Sequence, residues 1–208
     1  LKMENLIFNQ QILILILVSY LVGSIPFGFL IFKFKNKDDI RKYGSGNIGA
    51  TNVNRLLGKK LGLITLLLDF LKTFLISFLI FVMFGADAAS ISGFFSVIGH
   101  MFPIWLKFKG GKGVASFLGL LSIISWPLSL IFCIVWLIIV KYFKYSGTGA
   151  IISIILNFIL FKLVLYIQFN YLKLLWIPGT PLDLNVILGL SIIILIKHST
   201  NFKNLLKK

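Results

Sequence analysis

Two glycine-rich stretches of this sequence each carry a cation. Residues 44–55 read GSGNIGATNVNR and residues 107–113 read KFKGGKG. In the second, Lys109, Gly110, Gly111 and Gly113 surround Lys112 just before an apolar run. Glycine frees backbone N–H groups to turn inward, where successive amides form an anion-holding nest. A helix beginning at Val114 would add its positive N-terminal end at the same place. The spacing of a Walker A loop is absent, and a flexible turn holding a lysine is the plainer reading of the same residues. The first stretch repeats the logic. Gly44, Ser45, Gly46 and Asn47 can form a tight turn with open amides, Thr51 and Asn52 add polar side chains, and Arg55 offers a two-pronged fork for phosphate. Two such loops on one membrane face suit two anionic groups, or one substrate gripped twice.

Other ionisable residues admit two readings each. Asp38 and Asp39 are general bases or simple turn caps. Asp69 and Lys72 stand three residues apart on one helical face inside an apolar run, and such a pair is either functional or a buried brace. His100, between Gly99 and Pro103, is a hydrogen-bonded structural histidine or an acid–base group. His198 and Asn201 share a helical face at i, i+3. Several chemistries are excluded. There is no G-x-S-x-G elbow, and the H-x-x-x-x-D pattern of many glycerolipid acyltransferases fails because Trp105 and Lys203 hold the aspartate position. Aspartates are not clustered for a Mg²⁺–diphosphate site. One cysteine, Cys133, and two histidines build neither a disulfide framework nor an ordinary four-ligand metal site, so neither metal nor cofactor is expected.

The elements that must position these loops are membrane helices. Of 208 residues 58% are hydrophobic, against about 45–50% apolar in a soluble domain even with glycine counted, and the mean hydropathy is +0.99. The composition implies an all-α integral membrane protein with a single polytopic domain over 1–208. Seven spans are expected at about 6–32, 61–84, 89–106, 113–125, 127–141, 149–168 and 184–197. The first apolar run is too long for a signal peptide, and the chain never turns soluble. Fusing the fourth and fifth spans, separated only by SWP, would leave six. Charge favours seven: all but Lys2, Lys72, Lys162 and Lys173 of the 21 basic residues then fall on one face or its edges. The positive-inside rule makes that face cytoplasmic, with the N-terminus outside and the C-terminus inside. The net charge of +15 thus reflects topology and attraction to anionic lipid. No nucleic-acid partner is expected.

The segments GSIPFG (23–28), DIRKYGSGNIGATN (39–52), LLLDFLK (66–72), GHMFPIWLKFKGGKGVA (99–115) and HSTN (198–201) together resemble the bacterial acyl-phosphate:glycerol-3-phosphate acyltransferases, the PlsY family. The resemblance implies a seven-helix enzyme of the inner (cytoplasmic) cell membrane, acting as a monomer at the cytoplasmic face. Its substrates would be acyl phosphate and glycerol 3-phosphate, its product lysophosphatidic acid, the first acylation of phospholipid synthesis. Matched motif by motif, the active-site residues fall on Ser45, Arg55, Lys112, His198 and Asn201. Thr51, Asn52, His100 and the Gly110–Gly113 loop support them. Ser146 and Thr148 stand where family members carry more serines. Acyl phosphate is already activated, so the resemblance implies direct attack without an acyl-enzyme. Two competitors remain at this level: an organic-phosphate transporter, which interrupted helices and inverted repeats would favour, and a lipid-binding scaffold using only its basic face.

Overall fold

The computed structural model describes residues 2–199, with side chains from residue 10 onward. Every regular element among the described residues is helical: α1 (Lys2–Gly23), α2 (Phe27–Asn36), α3 (Ala50–Leu57), α4 (Lys59–Phe84), α5 (Ala86–Met101), α6 (Val114–Ile124), α7 (Trp126–Phe143), α8 (Ser146–Tyr171) and α9 (Pro181–Lys197), with short 3-10 turns at Ile40–Lys42 and Ile104–Leu106. Five segments are long and apolar enough to cross a membrane: Gln10–Asn36, Lys59–Phe84, Ala86–Leu106, Trp126–Phe143 and Ser146–Tyr171. α4 turns Leu63, Leu67, Leu75 and Val82 outward while burying Thr65, Asp69, Lys72, Thr73 and Ser77. This inversion of the soluble pattern marks a protein whose solvent is lipid. The chain is an integral membrane protein. It divides into two compact units, Leu1–Gly119 and Leu120–Lys208, each described by itself.

The first apolar run does not form one helix. Pro26 lacks an N–H and interrupts the ladder, so α1 ends at Gly23 and α2 restarts at Phe27. Between them the carbonyl of Ile25 lacks an i+4 helical donor and accepts the Phe27 N–H at 3.2 Å and the Lys72 ammonium at 2.8 Å. α1 crosses α5 closely enough that only small residues fit. A Cβ on Gly23 would strike the Ser96 carbonyl, and one on Gly99 the Tyr20 carbonyl. Hydroxyls of Ser19 and Ser92 bond across the same seam at 2.8 Å. This is the small-residue packing expected of helices in lipid.

The polar ribbon that follows α2 is more ordered than its composition implies. Its second half, Ala50–Leu57, is helical, where the sequence implies only a polar connection between spans. Ile48 and Val53 sit at 1% and 0% exposure in a small core with Phe32, Ile40 and Leu106. α3 stands against α4 because Gly62 leaves room for Asn54.

In the second unit α7 packs on α8 and α8 on α9. α9 opens with a reciprocal cap: the Asp183 N–H donates to Thr180 Oγ1, and the Thr180 N–H donates to the Asp183 carboxylate at 2.8 Å. Pro181 occupies the first turn, where its missing N–H costs nothing.

Candidate active site

The ribbon is knotted around one side chain. Asn52 is 1% exposed, and its carboxamide has partners on both ends. Nδ2 donates to the carbonyls of Tyr43 (3.1 Å) and Asn47 (2.9 Å). Oδ1 accepts the Ser45 N–H at 2.9 Å and Arg55 Nη1 at 3.4 Å. Gly44 and Gly46 hold positive φ angles of 61° and 70°, and a Cβ on Gly44 would collide with Asn52. The tight turn is therefore present, but two of its amides are not open: the Ser45 N–H is bound to Asn52 and the Gly46 N–H to the Tyr43 carbonyl at 3.0 Å. What the knot presents outward is side chain. Ser45, Thr51 and Arg55 are exposed, and Asn47 is half-buried.

The second loop corrects the nest expectation for Gly110 and Gly111 in the same way. Gly110 donates to the Met101 carbonyl at 3.3 Å and Gly111 to the His100 carbonyl at 3.1 Å, while Lys109 donates to Leu106 at 3.2 Å. These glycines are needed for space rather than for free amides. A Cβ on Gly110 would enter the backbone at His100 and Met101 and the Pro103 ring, and one on Gly111 would enter the imidazole of His100. Gly113 then takes φ 88° and α6 begins at Val114, as expected. The start of α6 is anchored on α4, where Ser116 Oγ donates to the Asp69 carbonyl at 2.9 Å. Lys112 is half-buried between these anchors, and burial pushes its ammonium below the ordinary lysine value.

A strut joins the two loops. Arg41 forks the Asp39 carboxylate through Nε (3.0 Å) and Nη2 (2.6 Å), and its Nη1 donates to the Leu106 carbonyl at 3.2 Å, just before the glycine loop. Its guanidinium also lies 5.6 Å from the centroid of the Phe29 ring. Asp39 caps the 3-10 turn by accepting the Arg41 N–H at 2.9 Å. Asp38 bonds Lys42 at 2.8 Å and the Tyr43 hydroxyl at 2.6 Å. Hydrogen bonds from Lys42 first, then Tyr43, hold the Asp38 carboxyl well below the usual carboxylate range, and Arg41 holds Asp39 below it too. Both are caps in ion pairs, not bases.

Beneath the second loop lies the intramembrane cluster. Lys72 Nζ contacts Asp69 Oδ1 (2.9 Å), His100 Nδ1 (2.9 Å) and the Ile25 carbonyl (2.8 Å), all three side chains being buried. The sequence reading paired Asp69 with Lys72 and left His100 apart. The fold joins them.

This arrangement has close counterparts. The family model for glycerol-3-phosphate acyltransferase matches residues 13–208. The chain belongs to the glycerol-3-phosphate acyltransferase family. Among curated members, that of Bartonella henselae is 38% identical over 97% of this chain and 92% of its own length. That of Ehrlichia chaffeensis is 41% identical over 93% and 92%. A crystal structure of PlsY, an integral membrane glycerol 3-phosphate acyltransferase in its glycerol 3-phosphate form, superposes with a TM-score of 0.82 at 36% identity, over 95% of this chain and 92% of that one. A lysophosphatidic acid form of PlsY superposes at 0.80.

The remaining sequence-predicted positions of this acyltransferase lie in its second unit. His198 caps α9 and is buried, at 2% exposure. Nδ1–H donates to the Ile194 carbonyl at 2.8 Å, which fixes the neutral ring in that tautomer. Asn201 lies outside the described residues. Ser146 and Thr148 occupy the first turn of α8. The Ser146 carbonyl accepts Trp136 Nε1 at 3.2 Å, and the buried Thr148 hydroxyl has no hydrogen-bond partner among the described residues. Asp39 is the turn cap that one of its two sequence readings gives, whereas Arg41 has no assignment in the sequence beyond its charge. The D-x-R spacing was the available signal, but the Leu106 contact has none.

Proposed function

We propose that this acyltransferase moves a fatty acyl group from acyl phosphate to the sn-1 hydroxyl of glycerol 3-phosphate. The products are 1-acyl-glycerol 3-phosphate and inorganic phosphate. The observation that carries this reading is the strut: the Arg55-bearing ribbon and the Lys112-bearing loop share one core and are tied through Arg41. Two cations on two linked loops match two phosphates, one on each substrate. The PlsY glycerol 3-phosphate and lysophosphatidic acid forms support an acceptor and product of this kind.

In this mechanism Arg55 and Lys112 neutralise the phosphates and Ser45 hydrogen-bonds at the reacting centre. Thr51, Asn47 and Lys109 line the approach, while Gly44, Gly46, Gly110, Gly111, Gly113, Asn52 and His100 shape the loops. The glycerol oxygen attacks the acyl carbonyl carbon. The carbon–oxygen bond to phosphate then breaks and its electron pair leaves with phosphate. The hydroxyl proton passes to a phosphate oxygen of the substrate. No acyl-enzyme forms, so alignment and charge stabilisation carry the rate. His198 and Asn201 are assigned catalytic roles by their family motif, and Ser146 and Thr148 secondary ones. An apolar recess of about 290 Å³ lined by Ile25, Pro26, Phe29, Leu30, Trp105 and Leu106 is the seat we assign to the acyl tail.

The same reading places seven spans in the inner cell membrane as one domain and a monomer, with the N-terminus outside and the site at the cytoplasmic face. Ser125 separates α6 from α7, in keeping with seven spans rather than six. The helix break a transporter would need exists at Pro26, but its freed carbonyl is occupied by Lys72, which favours a fixed structure over a gate.

The test is purified protein with labelled glycerol 3-phosphate and, separately, acyl phosphate, acyl-CoA and acyl-carrier protein. Lysophosphatidate from acyl phosphate is expected. None from any donor, with folding verified, would sink the proposal, and product from acyl-CoA alone would assign a different donor class.

A further inference from the structure

The apolar recess has two walls that come from different parts of the chain. Ile25 and Pro26 lie in the break before α2, Phe29 and Leu30 in its first turn, and Trp105 and Leu106 in the 3-10 turn that leads into the glycine loop. One charged side chain reaches both walls. Arg41 Nη1 donates to the Leu106 carbonyl at 3.2 Å, and the guanidinium carbon lies 5.6 Å from the centroid of the Phe29 ring. Lys33 Nζ also approaches that ring, at 5.8 Å, but Lys33 stands one turn along the same helix, so its contact stays within α2. A guanidinium can serve both walls at once because it donates in its plane and stacks by its face. Its remaining edge is fixed by Asp39, whose carboxylate accepts Nε at 3.0 Å and Nη2 at 2.6 Å.

The Leu106 carbonyl is a sensitive place to hold. It also accepts the Lys109 N–H at 3.2 Å, closing a turn in which Lys107 and Phe108 both take left-handed backbone, at φ 53° and 61°. Two successive non-glycine residues in that region are strained, and the contacts around them must offset the cost. The Leu106 side chain is buried in the core with Phe32 and Ile40, and Phe29 packs against the same core.

We propose that Arg41 is a positioning residue for the acyl donor: it staples Phe29 to Leu106, fixes the gap between the two walls of the recess and so seats the donor's tail. Arg41 acts through those walls and not on the reacting atoms. The inference rests on the reading that the recess receives the acyl tail.

Arg41→Lys keeps a charge beside Asp39 but cannot fork the carboxylate, reach Leu106 and cover the ring together. It should raise the KM for palmitoyl phosphate about tenfold, the scale of one hydrogen bond to a charged group, while the KM for glycerol 3-phosphate moves far less. Phe29→Leu keeps the wall apolar and removes the ring, and it should act in the same direction with a smaller change. Combined, the two substitutions should cost less than the product of their separate effects, because both break one contact. A KM for glycerol 3-phosphate that rises as much as that of the donor, a donor KM that does not rise, or independent effects of the two substitutions overturns the proposal.

A non-hydrolysable palmitoyl phosphonate carrying a photoreactive diazirine in its tail gives a readout that needs no turnover. Adducts at Phe29, Leu30 or Trp105 are expected in the wild type, and about tenfold fewer in Arg41→Lys. Equal labelling of the recess in the two chains overturns the staple, and labelling elsewhere alone overturns the seat on which it rests. If the wild type transfers no acyl group from palmitoyl phosphate, the proposed reaction fails, while the labelling still judges whether Arg41 seats the tail.

Discussion

The side-chain oxygen of Asn52 accepts the backbone N–H of Ser45 at 2.9 Å, seven residues back along the chain. One carboxamide therefore decides where the candidate nucleophile-orienting hydroxyl stands. Asn52→Ala should lower kcat/KM by roughly one to two orders of magnitude, because buried groups left unpaired cost about 1–3 kcal/mol each. Asn52→Asp should be worse, since it replaces two donors with an acceptor facing the Tyr43 and Asn47 carbonyls. Steady-state kinetics on inserted protein check both. Asp equal to wild type would remove the knot from the mechanism.

Lys112 should set the alkaline limit of activity. Burial lowers its pKa, so the ammonium is lost at a pH below that of an ordinary lysine, about 10.4. Below that lowered pKa the charge is present and the phosphate is held; as pH rises through it, KM for glycerol 3-phosphate should climb. Lys112→Ala should abolish turnover while the chain still inserts. Lys112→Arg should keep partial activity and move the alkaline limb upward, because guanidinium stays charged. A pH profile of KM reads the difference.

The Asp39–Arg41 fork should stabilise the ribbon only above the acid range. Arg41 holds the Asp39 pKa below its unfolded value of about 3.9. The contribution is thus complete above the unfolded value and lost as pH falls through the lowered one. The thermal stability of Asp39→Asn should lie below wild type near neutrality, and the gap should close below about pH 4. A gap that persists unchanged in acid contradicts the fork.

Gly111→Ala should remove activity with little loss of insertion. Its Cβ would enter the His100 ring, so either the loop or the imidazole must move. Gly58→Ala makes a useful control for backbone strain without collision: φ there is 87°, a positive value that Gly111 does not have, and a Cβ meets nothing within 4 Å. Equal activity in the two variants would show that loop position at Gly111 is irrelevant to turnover.

The helical class, the long apolar segments and the two polar loops were legible because burial in lipid leaves a one-dimensional trace of hydrophobicity. The second apolar run, read at 61–84, becomes α4 at Lys59–Phe84. The interruption inside the first run was not read, although Pro26 stands in plain view, because hydropathy does not register a missing N–H. α3 was hidden by its asparagines and glycine neighbours, and it is held by Val53 in a core assembled from Phe32, Ile40 and Leu106. The open amides expected at Ser45, Gly46, Gly110 and Gly111 failed for a similar reason. Whether Gly111 donates to a ligand or to His100 depends on a partner eleven residues away, and no spacing rule encodes it. The union of His100 with Asp69 and Lys72 is of this kind as well.

The gap at residues 24–26 has a consequence for biogenesis. As α4 leaves the translocon it carries an ammonium whose own helix supplies only Asp69 as a partner. The other two acceptors arrive from the gap after α1 and from α5. An ammonium lacking them in hydrocarbon costs several kcal/mol, so docking of α4 against these two neighbours is strongly favoured once all three lie in the bilayer. The proline that breaks the first apolar run thereby supplies one of the three acceptors that settle the charge.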